Sequence, residues 1–135
     1  PALLEKPMSG PARSGILFYA RNLLAVSAFY EGVLGARVLH ADEEHRVLQS
    51  PDTQLIIHSI PAQYASFVVV EVAPVPRVEQ AIKPFFTVDS LASAESLVEH
   101  FGGRVWGPVW AGPGIRVRNV CDPEGNIVHL RERAA

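Results

Sequence analysis

The feature that most constrains this chain is an internal duplication. Gly15–Ala20 is apolar and β-prone, and Asn22 is placed to cap a helix that carries Val26, Phe29, Tyr30 and Val33 at helical spacing. Gly35 is placed to end that helix in a left-handed turn. Strands follow at Arg37–Ala41, His45–Gln49 and Gln54–Ile60, separated by Asp42-Glu43-Glu44 and Pro51-Asp52. The order then restarts. Lys83–Val88 is a strand, and Asp89 is expected to cap a helix with Leu91, Ala94, Leu97, Val98 and Phe101 on its apolar face. Gly102-Gly103 ends that helix, and strands follow at Arg104–Trp106, Ile115–Val120 and Asn126–Arg131. A shift of 67 residues lays Leu24 on Leu91, Gly35 on Gly102 and Val38 on Val105, while Leu55-Ile56-Ile57-His58 resembles Asn126-Ile127-Val128-His129.

Such an order predicts an α+β fold of two βαβββ modules. Set side by side they make a curved mixed sheet of eight strands with the helices on its convex face. Residues 1–14, with three prolines, read as a flexible arm before a single domain spanning 15–135. Module one covers 15–60, a connector covers 61–81, and module two covers 82–133. Within the connector, Ser66–Val72 looks like a strand, but Pro61, Pro74 and Pro76 bracket it, so an edge strand and a plain bridge are both open.

A chain of 135 residues can bury most of its apolar surface in one domain. The net charge of −2 gives no broad electrostatic reason to expect nucleic acid or an anionic membrane as partner. A single cysteine allows no internal disulfide, and the opening residues lack the pattern of a secretory signal, so the cytoplasm is the expected compartment. No apolar run approaches a membrane span.

Three stretches carry a family resemblance. Phe29-Tyr30 followed by Val33-Leu34-Gly35, Val88-Asp89 ahead of a helix ending at Gly102-Gly103, and the turn Asp122-Pro123-Glu124-Gly125-Asn126 together resemble the vicinal oxygen chelate superfamily. This is the group of glyoxalases, bleomycin resistance proteins and extradiol dioxygenases. The resemblance covers residues 15–133 and implies a cup-shaped sheet, a ligand site in the cup, and a homodimer. Val26 stands where the family's helix motif has a serine.

Alternation places Ile16, Phe18, Leu55, Ile57, Phe86, Ile115, Val117, Val128 and Leu130 under the helices. It places Tyr19, His58, Lys83, Phe85, Arg116, Arg118 and His129 on the cup face. The resemblance implies metal-ligand positions near Gly15, His58, Lys83 and His129. Only His58 and His129 are usable ligands, for zinc, iron or nickel. A glycine has no side chain and a lysine brings a positive charge, so the expected ligand set is incomplete. The alternative role for both histidines is to line the pocket. Lys83 is either a pocket charge or a solvated strand end. Arg116 and Arg118 either make the cup cationic, suited to a carboxylate or phosphate, or lie on a solvated face or dimer edge. Trp106 and Trp110 are expected on a Gly107-Pro108 loop over the cup, stacking on a flat ligand or on a partner subunit. Cys121 reads as a buried inert thiol, Glu124 as a turn residue, and Ala111-Gly112-Pro113-Gly114 as no phosphate loop.

Two functions compete on this reading, with an accessory or regulatory module without chemistry as a third that a short single-domain chain supports less well. One is a small-molecule binding protein of the glyoxalase/bleomycin-resistance type, without a complete metal site, taking an anionic or aromatic ligand. The other is a metal-dependent lyase, isomerase or dioxygenase-like enzyme holding its metal on His58 and His129.

Overall fold

The structure is a computed structural model that describes residues 12–71 and 73–134. Most of the expected arm, residues 1–11, therefore lies outside the described residues. Module one runs β1 Gly15–Ala20, α1 Leu23–Leu34, β2 Arg37–Ala41, β3 His45–Gln49 and β4 Gln54–Ser59. A one-turn helix, α2 Ala62–Ala65, follows. Module two runs β5 Phe85–Thr87, α3 Leu91–His100, β6 Arg104–Gly112, β7 Ile115–Cys121 and β8 Ile127–Arg133.

The α+β architecture of two βαβββ modules forms as expected. Its eight strands are divided between two four-stranded sheets, ordered β1-β4-β3-β2 and β5-β8-β7-β6. In each, the first strand runs parallel to the last and the other pairings are antiparallel. β1 and β5 are both sheet edges. With only three residues between Pro84 and the approach to α3, β5 offers β1 little edge for a ladder.

One core serves both sheets. Tyr30 of α1 stacks on Phe18 of β1 at 4.9 Å and lies 6.2 Å from Phe86 of β5, measured between ring centroids. Phe29, Val26, Leu55, Ile57, Val98, Val120, Val128 and Leu130 belong to the same buried cluster. The α1 cap is as expected: Ala25 N–H donates to Asn22 Oδ1 at 3.1 Å, and Gly35 takes φ 63°.

Several expectations are corrected. Ser90, not Asp89, caps α3, accepting from Ser93 N–H at 3.2 Å; its hydroxyl sits one residue closer to the orphan N–H groups of the first turn. No strand forms among the described residues of 66–71, where Phe67 and Val69 are exposed. The connector instead docks on module two by Arg77 N–H donating to the Gly125 carbonyl at 2.8 Å. β6 is longer than expected and continues through Gly107-Pro108 by a bulge, so Trp106 and Trp110 sit on a strand, not on a loop.

The duplication is also registered differently. The caps Asn22 and Ser90 are 68 residues apart, as are the core residues Phe18 and Phe86. Phe18 pairs with Ile57, and Phe86 with Leu130. His58 therefore corresponds to Arg131, and His129 to Ile56. The histidines occupy different steps of their modules.

Candidate functional site

The ladder registers fix which side chains share the concave face. In module two, one cross-strand row reads Phe85, His129, Asn119, Trp106. The next reads Thr87, Arg131, Val117, Trp110. Each row spans four strands, about 14 Å at ordinary strand spacing. A polar strip is thus set between Phe85 on one side and two tryptophans on the other.

The strip is cationic. Arg131 stacks its guanidinium 3.9 Å from the Phe85 ring centroid. Lys83 Nζ donates to Asn119 Oδ1 at 3.4 Å. His129 Nε2 and Arg131 Nε are both buried without a hydrogen-bond partner. Orphaned polar atoms are expensive inside a protein and point to a missing water or ligand. Burial, with Lys83 and then Arg131 adding positive charge, pushes the His129 pKa down, so the imidazole is held neutral. Lys83, Phe85 and Thr87 also line a cleft of about 360 Å³ with Ile16, Leu34 and Thr53, at the seam between the sheets.

The arginines singled out from the sequence are elsewhere. β7 pairs Arg118 with Leu130 and Arg116 with Glu132, which puts both on the helix side. Arg118 bonds Glu95 of α3 at 3.2 Å, and Arg116 bonds Glu132 at 3.1 Å. Glu132 in turn accepts from Leu91 N–H at the start of α3 at 3.1 Å. These pairs fasten α3 to its sheet. Ile115 and Val117, expected under the helices, face the cup instead. Both faces of β7 carry apolar residues, so alternation alone did not reveal which was inward. Asn119 was missed for that reason. Arg131 lay within reach of the same reasoning, since it is two residues beyond His129 and shares its face.

In module one the equivalent rows hold Tyr19, His58 and His45, then Leu17, Ile56 and Val47. Tyr19 and His58 rings lie 5.5 Å apart. Tyr19 also borders a cleft of about 560 Å³ with Ile60, Tyr64, Val68, Arg77 and Asn126.

The turn that follows β7 has a second role. Asp122 is fully buried and accepts from Tyr30 Oη, Glu124 N–H, Asn126 N–H and Asn126 Nδ2 at 2.8–3.1 Å. Its pKa is nonetheless raised, because desolvation outweighs those bonds. Glu124, read from sequence as a turn residue only, accepts from Arg21 and Asn22 N–H at 2.8 and 2.6 Å. It thereby clasps the start of α1. Cys121 is buried and free, and burial raises its thiol pKa.

The metal positions implied by the family do not fit. Gly15 and Lys83 supply no ligand, and Lys83 and Arg131 crowd His129 with positive charge. Among the described residues no three His, Cys, Asp or Glu side chains are grouped to hold a metal ion.

No family model matches the chain, and no curated protein matches it. Solved structures do. A glyoxalase/bleomycin resistance protein/dioxygenase family enzyme from Burkholderia phytofirmans PsJN aligns at TM-score 0.68 and 17% identity, covering 87% of this chain and 95% of its own. The fosfomycin resistance protein FosX from Mesorhizobium loti aligns at TM-score 0.64 and 16% identity, with coverage of 93% and 95%. A bleomycin-binding protein complexed with bleomycin aligns at TM-score 0.59 and 18% identity, with coverage of 92% and 100%. The chain has the fold of the vicinal oxygen chelate superfamily, as the sequence resemblance implied. No helix among the described residues is long and apolar enough to cross a membrane.

Proposed function

We propose that the chain binds a small organic anion with flat or apolar flanks, on the concave face of module two and without a metal of the family type. The observation that carries this reading is the pair of orphaned atoms, His129 Nε2 and Arg131 Nε, set between Phe85 and the tryptophans. A carboxylate or phosphate-like group would engage Arg131 and Lys83, and a neutral His129 would bond a hydroxyl or amide beside it. Phe85, Trp106 and Trp110 would cover the rest of the ligand. Structural neighbours include a bleomycin-binding protein and a fosfomycin resistance protein, which makes sequestration or modification of a small molecule a natural use of the fold. We take residues 61–81 as the link between modules 15–60 and 82–133. We also take the working form as a homodimer that covers exposed apolar residues such as Phe67 and Ile82. The free, buried Cys121 suits a reducing cytoplasm.

The test is a thermal-shift panel of aromatic and aliphatic carboxylates, phosphates and phosphonates beside their neutral isosteres. Anions should stabilise the protein, and the gain should vanish in Arg131→Ala and Lys83→Ala but persist in Arg118→Ala. Stabilisation by neutral or cationic compounds only would overturn the reading. So would stoichiometric zinc, iron or nickel lost on His129→Ala. Light scattering that gives a monomer at micromolar concentration would remove the dimer.

A further inference from the structure

We propose that Gln80 is a positioning residue: its side-chain amide holds the backbone on which Lys83 stands and so fixes the ammonium group at the anion site. This rests on the reading of module two as that site. The two modules differ where their first strand meets their last. β1 pairs with β4 over six residues, from Gly15 with Gln54 to Ala20 with Ser59. β5 pairs with β8 over only three, from Phe85 with His129 to Thr87 with Arg131. Carried back in the same register, the missing pairs are Pro84 with Val128 and Lys83 with Ile127.

Proline is the cause. In a parallel ladder residue 84 would accept from His129 N–H and donate to the Ile127 carbonyl. Pro84 does accept from His129 N–H, at 2.9 Å. It has no N–H to give Ile127. The Gln80 amide takes over. Its Nε2 donates to the Ile127 carbonyl at 2.8 Å, and its Oε1 accepts from Ile127 N–H at 2.8 Å. The same Nε2 donates to the Ile82 carbonyl at 2.7 Å. One side-chain amide thus stands between Ile82 and β8, where backbone would otherwise meet backbone.

Lys83 is therefore held from both sides, by the Ile82 carbonyl on Gln80 and by the Pro84 carbonyl on His129. Its side chain is exposed, so packing restrains it little, and a flexible four-carbon stem goes where its backbone points it. It crosses β8 to reach Asn119 Oδ1 at 3.4 Å, in the row of His129. Gln80 is itself set by a turn. Arg77 N–H donates to the Gly125 carbonyl at 2.8 Å, and Gln80 N–H donates to the Arg77 carbonyl at 3.1 Å. Without the amide, Ile127 N–H and both carbonyls lose their partner, and the segment before β5 keeps only its Pro84 bond.

The experiment is calorimetric titration of the full chain with benzoate and with its neutral isostere benzamide. Lys83→Ala should weaken benzoate. Gln80→Met, of similar length but without hydrogen bonds, should weaken benzoate about fivefold or more and leave benzamide unchanged. Added to Lys83→Ala, Gln80→Met should cause no further loss, because the group it acts through is gone. Circular dichroism checks folding. Where Gln80→Met does not fold, Gln80→Glu, which keeps an acceptor for Ile127 N–H, replaces it with the same expectations. Benzoate that binds Lys83→Ala as it binds wild type, or that does not bind at all, removes the anion reading and this inference with it. Loss in Lys83→Ala with none in Gln80→Met overturns the inference alone. Equal weakening of benzamide by Gln80→Met, or a further loss in the double variant, shows general loosening of the sheet and also overturns it.

Discussion

Tyr30 Oη donates to Asp122 Oδ2 at 2.9 Å, joining the helix of module one to the β7–β8 turn of module two inside the shared core. Burial and the adjacent carboxylate raise the Tyr30 pKa well above its ordinary value, so the phenol stays a donor throughout the working range. Tyr30→Phe removes one of the donors to a buried carboxylate and should cost about 1–3 kcal/mol. Asp122→Ala leaves Tyr30 and the turn N–H groups unpaired and should cost more, about 3 kcal/mol or above. Urea midpoints at unchanged slope measure both; equal midpoints for wild type and Tyr30→Phe would show that the bond adds nothing.

Glu124 is the second tie between modules. It accepts two backbone N–H groups where α1 begins, a position that favours negative charge. Glu124→Gln keeps the shape but loses the charge and turns an amide donor toward an N–H. A loss of about 1–2 kcal/mol is expected. Hydrogen exchange at Arg21 and Asn22 should accelerate in the variant, and unchanged protection there would contradict the clasp.

Gly103 is where α1 meets the start of β6. A methyl group there would meet the Cys121 carbonyl oxygen and lie 2.6 Å from Phe29 Cε2. Neither neighbour can withdraw, because one is backbone in a ladder and the other is a fully buried ring. Gly103→Ala should cost about 1–3 kcal/mol or more through overpacking. A melting temperature within a degree of wild type would show that the seam yields.

The lowered His129 pKa has a definite sign in stability. Above the unfolded value, near about 6.5, the imidazole is neutral in both states and carries no penalty. As pH falls from there through the folded pKa, the unfolded chain takes up the proton more readily, and stability is lost. His129→Gln should flatten that loss. Urea unfolding at neutral and mildly acid pH, compared between wild type and variant, measures it; parallel curves would mean His129 contributes no linkage.

Much of the fold was readable in the chain. The α1 cap at Asn22, the stop at Gly35, the strands of module one and the Asp122–Asn126 turn are local events, governed by side-chain reach and backbone φ. The resemblance likewise rested on short stretches at fixed spacing. The site was readable only in part. Lys83, Phe85, His129 and both tryptophans are gathered on one face. Arg116 and Arg118 were placed on the wrong side of β7, and Arg131 and Asn119 were passed over.

The amino-acid sequence by itself determined most of the elements, the presence of a duplication and the fold, because helix periodicity, caps and turn chemistry act over a few residues. Only the tertiary structure decided which face of β7 looks into the cup, that His58 matches Arg131 and not His129, and that Glu124 reaches α1. Those facts depend on strand register and on contacts between residues about a hundred positions apart. A sheet strand with apolar residues on both faces leaves its register undetermined until its neighbours are in place.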